Sequence, residues 1–162
     1  MRKMRTRVRG KFAIILNIGL SVLAALWISS YYRLAVVNGD SMEPTYTQGD
    51  IIFVKIGKTP QRGDIVIIDS KAIGGRIVKR VIAVEGDTVQ TDGEAIWVNG
   101  VILEEKYIKE PYAMEDVLLT VPDKSIYVMG DNRNHSLDSR SPSLGLIRIK
   151  EDVVGVVKQF RK

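Results

Sequence analysis

Three short stretches of this 162-residue chain carry side chains that could do chemistry. Ser41 lies in GDSMEPT, residues 39–45, a Gly- and Pro-bounded turn. A hydroxyl there is either an ordinary turn or capping group or a nucleophile awaiting a base. Lys79 lies in RIVKRVIAVEGD, residues 76–87, where strand alternation sets it on one face with Ile77, Val81 and Ala83, and sets Arg80 on the other with Val78, Ile82 and Val84. Such a lysine is either an edge cation reaching solvent, a device against aggregation, or an ammonium desolvated by its neighbours. In the second case its pKa falls from about 10.4 toward neutrality, and the neutral amine can serve as a general base. The third stretch, GDNRNHSLDSR, residues 130–140, is denser in turn-forming and hydrogen-bonding residues than a casual loop and spaces Asp138 and Arg140 for an ion pair. If exposed, that pair would be worth little.

Composition narrows the chemistry further. The chain has no Cys, so it holds no disulfide, thiolate metal site or cysteine nucleophile, and its single His135 cannot build a multi-histidine metal centre. His135 reads as a solvated loop residue, and no cofactor or metal is implied. The fraction of apolar residues, 45%, and the 27% that are charged exclude a disordered or fibrous chain.

The elements that must position these residues are mostly strands. From Arg33 onward the apolar runs are short and rich in Val and Ile: LAVV, IIFVKI, DIVIID, RIVKRVIAV, AIWV, SIYVMG, GLIRI and VGVV. Turn signals punctuate them, and Asn99-Gly100 in WVNGVIL is the strongest hairpin signal. The expected architecture for residues 33–162 is mostly β, antiparallel sheets in a coiled, barrel-like body, with residues 103–122 as a loop-rich excursion.

Residues 12–32, FAIILNIGLSVLAALWISSYY, carry no charge and as a helix would span roughly 30 Å, the hydrocarbon thickness of a bilayer. Trp27, Tyr31 and Tyr32 gather at the far end, where amphipathic rings favour the headgroup level. A cleaved secretory leader would have a shorter core and small residues where this chain has Tyr and Trp, so an uncleaved anchor is the better reading. The net charge of +5 is concentrated ahead of this run: residues 1–11 carry six basic side chains and no acid, which leaves the remainder close to neutral. A nucleic-acid surface is therefore not indicated. By the positive-inside rule residues 1–11 are a cytoplasmic tail, residues 12–32 a transmembrane anchor and residues 33–162 an extracytoplasmic domain.

Taken in order, SMEPT (41–45), RGDIV (62–66), KRVIAVEGD (79–87) and GDNRNHSLDSR followed by GLI (145–147) resemble the motifs of the bacterial type I signal (leader) peptidases, serine/lysine proteases that remove signal peptides from exported proteins. The resemblance implies that Ser41 is the nucleophile and, through its backbone N–H, an oxyanion donor, that Lys79 is the general base, that Ser136 hydrogen-bonds and orients the lysine, and that Asp138 and Arg140 pair to hold this region in place. In part of the family a serine two positions before the nucleophile completes the oxyanion hole. Here that position is Gly39, as in the short, singly anchored Gram-positive members. A lysine rather than a histidine at position 79 favours the bacterial branch over that of the endoplasmic reticulum.

The implied substrate is a signal-peptide-bearing preprotein, cut after a small-x-small motif. Its extended chain is expected to add as a strand between segments near Leu34 to Asn38 and Arg76 to Lys79, with Val37, Gly39, Met42 and Val78 around shallow pockets. The resemblance also implies a single-pass enzyme of the bacterial plasma membrane that meets the lipid bilayer and the secretion translocon, with no nucleic-acid partner. Confinement of enzyme and precursor to one membrane face would raise their effective concentration. Two rival readings are a self-cleaving repressor-type serine/lysine peptidase, disfavoured by the apolar run, and a tethered module that binds exported peptides without cutting them. A peptidase dedicated to one pilin, conjugation or matrix substrate fits the same motifs.

Overall fold

A computed structural model describes the backbone of residues 2–93, 95–113 and 115–159, and side chains over these ranges from residue 14 onward. The side chains of the expected basic tail, residues 1–11, lie outside the described residues. The first element is a helix, α1 (Arg2–Tyr31). Its segment Ile14–Tyr31 is long and apolar enough to cross a membrane, and none of it is buried against the rest of the chain. The helix hands over directly to strand β1 (Tyr32–Val36), and the Ile56 N–H donates to the Tyr31 carbonyl at 2.9 Å, tying the end of the helix to the body.

The body is built on two antiparallel sheets. The larger has seven strands: β1, β2 (Ile51–Lys55), β3 (Ile65–Ser70), β4 (Gly75–Val84), β9 (Ser125–Met129), β10 (Ile147–Arg148) and β11 (Val153–Val157), in the order β1-β2-β11-β3-β4-β9-β10. The smaller has β5 (Thr88–Thr91), β6 (Ile96–Val98), β7 (Val101–Ile102) and β8 (Leu118–Thr120), in the order β7-β6-β5-β8. Strand β2 shows period-2 burial, with Ile52 and Val54 inside and Ile51, Phe53 and Lys55 outside. Strand β3 lies between β11 and β4 and buries Ile65, Val66, Ile67 and Ile68 in succession, because both of its faces are covered. One cluster, including Val66, Val81, Ile126 and Val128, fills one side, and another, including Val37, Met42, Ile52 and Ile65, fills the other.

Most of the expected strands form, with instructive differences. Asn99 and Gly100 both take positive φ, 55° and 75°, and join β6 to β7 as the Asn-Gly signal requires. Strand β5, TVQT, has no long apolar run to announce it, and β8 forms inside the expected loop excursion because both pair with each other at the edge of the small sheet. GLIRI yields only the two-residue β10, since the chain turns at once into a helical turn, α2 (Ile149–Asp152). The assignment of Ala83 to the face of Ile77 and Val81 is corrected. The pairing of β4 with β9 slips between Val81 and Ala83, so Ala83 joins Ile82 in a third cluster while Val81 stays with Ile77.

Two backbone edges bear on the site. Strand β1 pairs only with β2, and β4 pairs with β9 only from Arg80 onward. Residues 75–79 thus have β3 on one side and no strand on the other among the described residues.

Candidate active site

Lys79 enters the site from the end of that unpaired half of β4, opposite Val66 of β3. Its side chain is 2% exposed, and Nζ donates to Ser41 Oγ at 2.7 Å across 38 residues of sequence. Of the two readings open to a lysine in this strand, the structure selects the desolvated one. Burial lowers its pKa to about 8, opposed by the more distant carboxylates of Asp138, Asp131 and Asp40, while Arg140 adds to the depression. A fraction of the amine is neutral near pH 7, which makes it a competent proton acceptor 2.7 Å from a hydroxyl.

Ser41 is presented by the turn after β1 and is pinned by the segment after β9. Asn132 donates through its backbone N–H to the Ser41 carbonyl at 3.0 Å and through Nδ2 to the Asp40 carbonyl at 3.2 Å. The preceding Gly39 has φ of 98°, a conformation that side-chain-bearing residues adopt only with strain. In this conformation a serine at position 39 would be strained, although nothing would obstruct its Cβ. Beneath the turn, Gly130 leaves no room for a side chain: a Cβ there would lie 2.3 Å from Ser136 Oγ and 2.5 Å from the Ser41 carbonyl oxygen.

Asp138 is fully buried and holds Arg140 in a two-point pair, with Nε and Nη2 each 2.8 Å from a carboxylate oxygen. Arg140 Nη2 also donates to the Arg133 carbonyl at 2.6 Å, and Asp138 accepts the Gly130 N–H at 3.0 Å. Burial pushes the Asp138 carboxyl up, but Arg140 and the Gly130 N–H hold it below its ordinary value. Ser136 Oγ is buried behind Gly130 and has no hydrogen-bond partner among the described residues; it does not bond Lys79. The expected contact from Ser136 to the lysine is thus not made in this structure. His135 is exposed at the end of a 3₁₀ turn, Arg133–His135.

The residues unforeseen from sequence form a second network around the nucleophile turn. Arg80, next to Lys79, pairs with Asp131 through Nε at 2.8 Å and Nη2 at 2.6 Å, and Thr45 of the nucleophile turn donates to the same carboxylate. The guanidinium of Arg80 stacks 3.9 Å from the centre of the Tyr107 ring. Arg133, fully buried, is bonded by Glu105 and Tyr112, and Lys109 reaches Glu43 of the nucleophile turn at 2.7 Å. Residues 103–122 are therefore a polar clasp that covers two buried arginines. The one local signal was Arg80 set among Val78, Ile82 and Val84; the partners lie up to 51 residues away.

A groove of about 620 Å³ opens beside Ser41. It runs between residues 33–38 of the β1 edge and residues 76–78 of the free β4 edge, with Val37, Met42 and Val78 in its walls; Gly39 does not line it. Ser41 faces the groove and Lys79 lies behind the serine.

Comparison with known proteins places this arrangement. The family model described as signal peptidase, peptidase S26, matches residues 11–160. The chain is 38% identical to signal peptidase I of Bacillus licheniformis, with 83% of this chain and 78% of that protein covered. It is 36% identical to signal peptidase I of Bacillus amyloliquefaciens, with 90% and 83% covered. A crystal structure of a signal peptidase I from Enterococcus faecalis is similar at a TM-score of 0.53 and 34% identity, over 62% of this chain and 98% of that one.

Proposed function

Since this chain belongs to the signal peptidase family, peptidase S26, and is a signal peptidase I that removes signal peptides from preproteins, we propose that Ser41 and Lys79 are its catalytic dyad. The observation that carries this reading is the 2.7 Å hydrogen bond from Lys79 Nζ to Ser41 Oγ inside an environment that favours the neutral amine. As Ser41 Oγ attacks the scissile carbonyl, Lys79 takes its proton; the resulting ammonium then protonates the departing amine. The amine regenerated on Lys79 takes a proton from the water that hydrolyses the acyl-enzyme and returns it to Ser41 Oγ as the acyl–oxygen bond breaks. The Ser41 N–H is the backbone donor to the developing oxyanion, and glycine at position 39 offers that hole no side-chain hydroxyl.

Substrate enters the groove as an extended strand. It pairs with the free edges of β1 and of residues 75–79, which brings the bond to be cut up to Ser41. Val37, Met42 and Val78 limit the side chains that fit, which supports cleavage after a small-x-small motif. Asp138 and Arg140 act as positioning residues: the ion pair fixes the segment that carries Asn132, and Asn132 fixes the carbonyls flanking Ser41, while Ser136 packs behind Gly130 beneath the same turn. With α1 as a single-pass anchor in the plasma membrane, the basic tail is cytoplasmic and residues 33–162 face the opposite side, where preproteins emerge from the translocon.

The test is cleavage of a model preprotein in liposomes by the full chain and by Ser41→Ala and Lys79→Ala, with the cut site read by mass spectrometry. Cleavage at a small-x-small site by the wild type, together with two folded but inactive variants, is the expected result. Retained cutting by either variant would remove that residue from the dyad.

A further inference from the structure

Arg133 is the largest fully buried side chain among the described residues, and the dyad makes no direct use of its charge. Its guanidinium is gripped from outside by Glu105, 28 residues away: Nη1 donates to Oε2 at 2.9 Å, and Nη2 donates to Oε1. The Tyr107 and Tyr112 hydroxyls donate to the same carboxylate at 3.2 and 2.8 Å, so Glu105 is itself held in place, with its side chain 10% exposed. The segment that carries Glu105 is rooted in the small sheet. There the Leu103 N–H donates to the Ile96 carbonyl at 2.8 Å, and Leu103 packs against the cluster that holds Ile96 and Val98. A buried two-point pair of this kind adds little stability over an apolar pair of the same size, so the role of this arginine lies in what its inner side holds.

On that side Nε donates to the Gly130 carbonyl at 2.9 Å. Gly130 backs the nucleophile: a Cβ on it would lie 2.5 Å from the Ser41 carbonyl oxygen, and its N–H is already given to Asp138 at 3.0 Å. One planar, rigid group thus spans from the Glu105 carboxylate to the backbone against which the Ser41 turn rests. Glu105, Arg133 and Gly130 all lie outside the lining of the catalytic groove. From this geometry we infer that Glu105 is a positioning residue for the nucleophile: by clamping Arg133 it fixes Gly130, and through Gly130 the placement of Ser41 Oγ against the Lys79 amine and the scissile carbonyl. Loss of the clamp displaces the reacting oxygen and leaves the walls that bind the signal peptide as they were, so it lowers kcat and spares KM. The inference rests on the dyad reading above, since only a nucleophilic Ser41 makes the placement of that turn matter to the rate.

Steady-state cleavage of a model preprotein by the detergent-solubilised full chain, with rates referred to the fraction folded by circular dichroism, tests it. Glu105→Gln should lower kcat about a hundredfold, the loss expected for an ångström-scale misplacement of a reacting group, with KM unchanged. Glu104→Gln removes an exposed carboxylate from the adjacent position and should leave both constants at their wild-type values. Glu105→Gln/Arg133→Met takes away both buried charges together. It should regain the Tm that Glu105→Gln loses, while kcat stays down because the Gly130 carbonyl still lacks its donor. In an Arg133→Met background, Glu105→Gln should cause no further loss of kcat, as required of a residue that acts through the arginine. If Glu105→Gln does not fold, the double variant against the wild type supplies the comparison by itself. Full kcat per folded molecule in Glu105→Gln, a rise in KM in place of a fall in kcat, or a kcat that recovers along with Tm in the double variant would overturn the role. Ser41→Ala in the same assay separates the two readings: cutting by that variant sinks the dyad, whereas an inactive Ser41→Ala beside a fully active Glu105→Gln sinks only the role of Glu105.

Discussion

Lys79 and Arg80 are consecutive on β4 and both buried, yet Arg80 is held in a two-point pair with Asp131 while Lys79, among the described residues, pairs with no carboxylate and bonds the Ser41 hydroxyl. The strand thereby gives one cation a compensating charge and withholds it from the next. The first is fixed as structure, and the second is left ready to give up its proton.

The pH dependence follows from that difference. With the Lys79 pKa lowered to about 8 by burial, kcat/KM should rise with unit slope as pH increases toward 8 and level off above it. The same burial has a cost. Below pH 8 the folded chain holds an ammonium it disfavours, at a penalty of roughly 3 kcal/mol that fades as pH rises from about 8 to the ordinary lysine value of 10.5. Lys79→Met is therefore expected to abolish cleavage while raising the Tm at pH 6, by an increment that shrinks at pH 10. A lower Tm at pH 6 would show that Lys79 is not paying for its burial.

Gly130→Ala tests the close approach behind the nucleophile. Its Cβ would fall within 2.6 Å of Ser136 Oγ, Ser136 Cβ and the Ser41 carbonyl oxygen, so the Ser41 turn must shift. Overpacking should cost about 1–3 kcal/mol of stability, and displacement of the nucleophile should lower kcat about a hundredfold. Urea unfolding and single-turnover cleavage separate the two effects.

Asp131→Ala leaves the Arg80 guanidinium buried beneath Tyr107 with its carboxylate gone and strips Thr45 of its acceptor. The expected loss is about 3–5 kcal/mol, measured by urea unfolding at pH 7. Arg80→Met/Asp131→Leu should recover much of that stability without recovering the cleavage rate, because the Thr45 contact to the nucleophile turn stays broken.

Asp138 sets the acid limit. Its carboxyl is held below the ordinary value, so the stability it contributes is fully present above that value and is lost as pH falls through the lower, folded one. Arg140→Gln removes the main partner and should move the acid unfolding midpoint to higher pH, as followed by circular dichroism.

Val37→Gly and Val78→Gly should each widen the groove wall and permit cutting after residues larger than Ala, as read by mass spectrometry of products from a preprotein with Leu or Val introduced at the first or third position before the bond. Unchanged site choice in both variants would remove these walls from substrate selection.

The sequence was most informative where chemistry is local. The turn around Ser41, the flanked lysine at 79 and the hydrogen-bonding density of residues 130–140 could all be read from a dozen residues at a time, and the structure brings all three into one place. What local pattern could not convey was partnership at a distance. Arg80 with Asp131 and Arg133 with Glu105 are joined across 51 and 28 residues. The half-paired state of β4 depends on where β9 begins, and the inward turn of Ala83 on a slip in that same pairing. Strand β5 is polar on its exposed positions and gains its register from neighbours rather than from its own residues. Ser136 shows the converse limit, since a motif position can be occupied by the expected residue while its side chain lacks the expected contact.

The junction between α1 and β1 contains no spare chain: the helix ends at Tyr31, the strand begins at Tyr32, and the Ile56 N–H staples the joint. With the helix embedded in lipid as proposed, the body cannot swing on a tether, and the height of Ser41 above the bilayer becomes a fixed length written into residues 32–41. The molecule then acts as a ruler. A precursor whose cleavage motif emerges at that height meets the serine, and one with a spacer too long or too short presents the same motif out of reach.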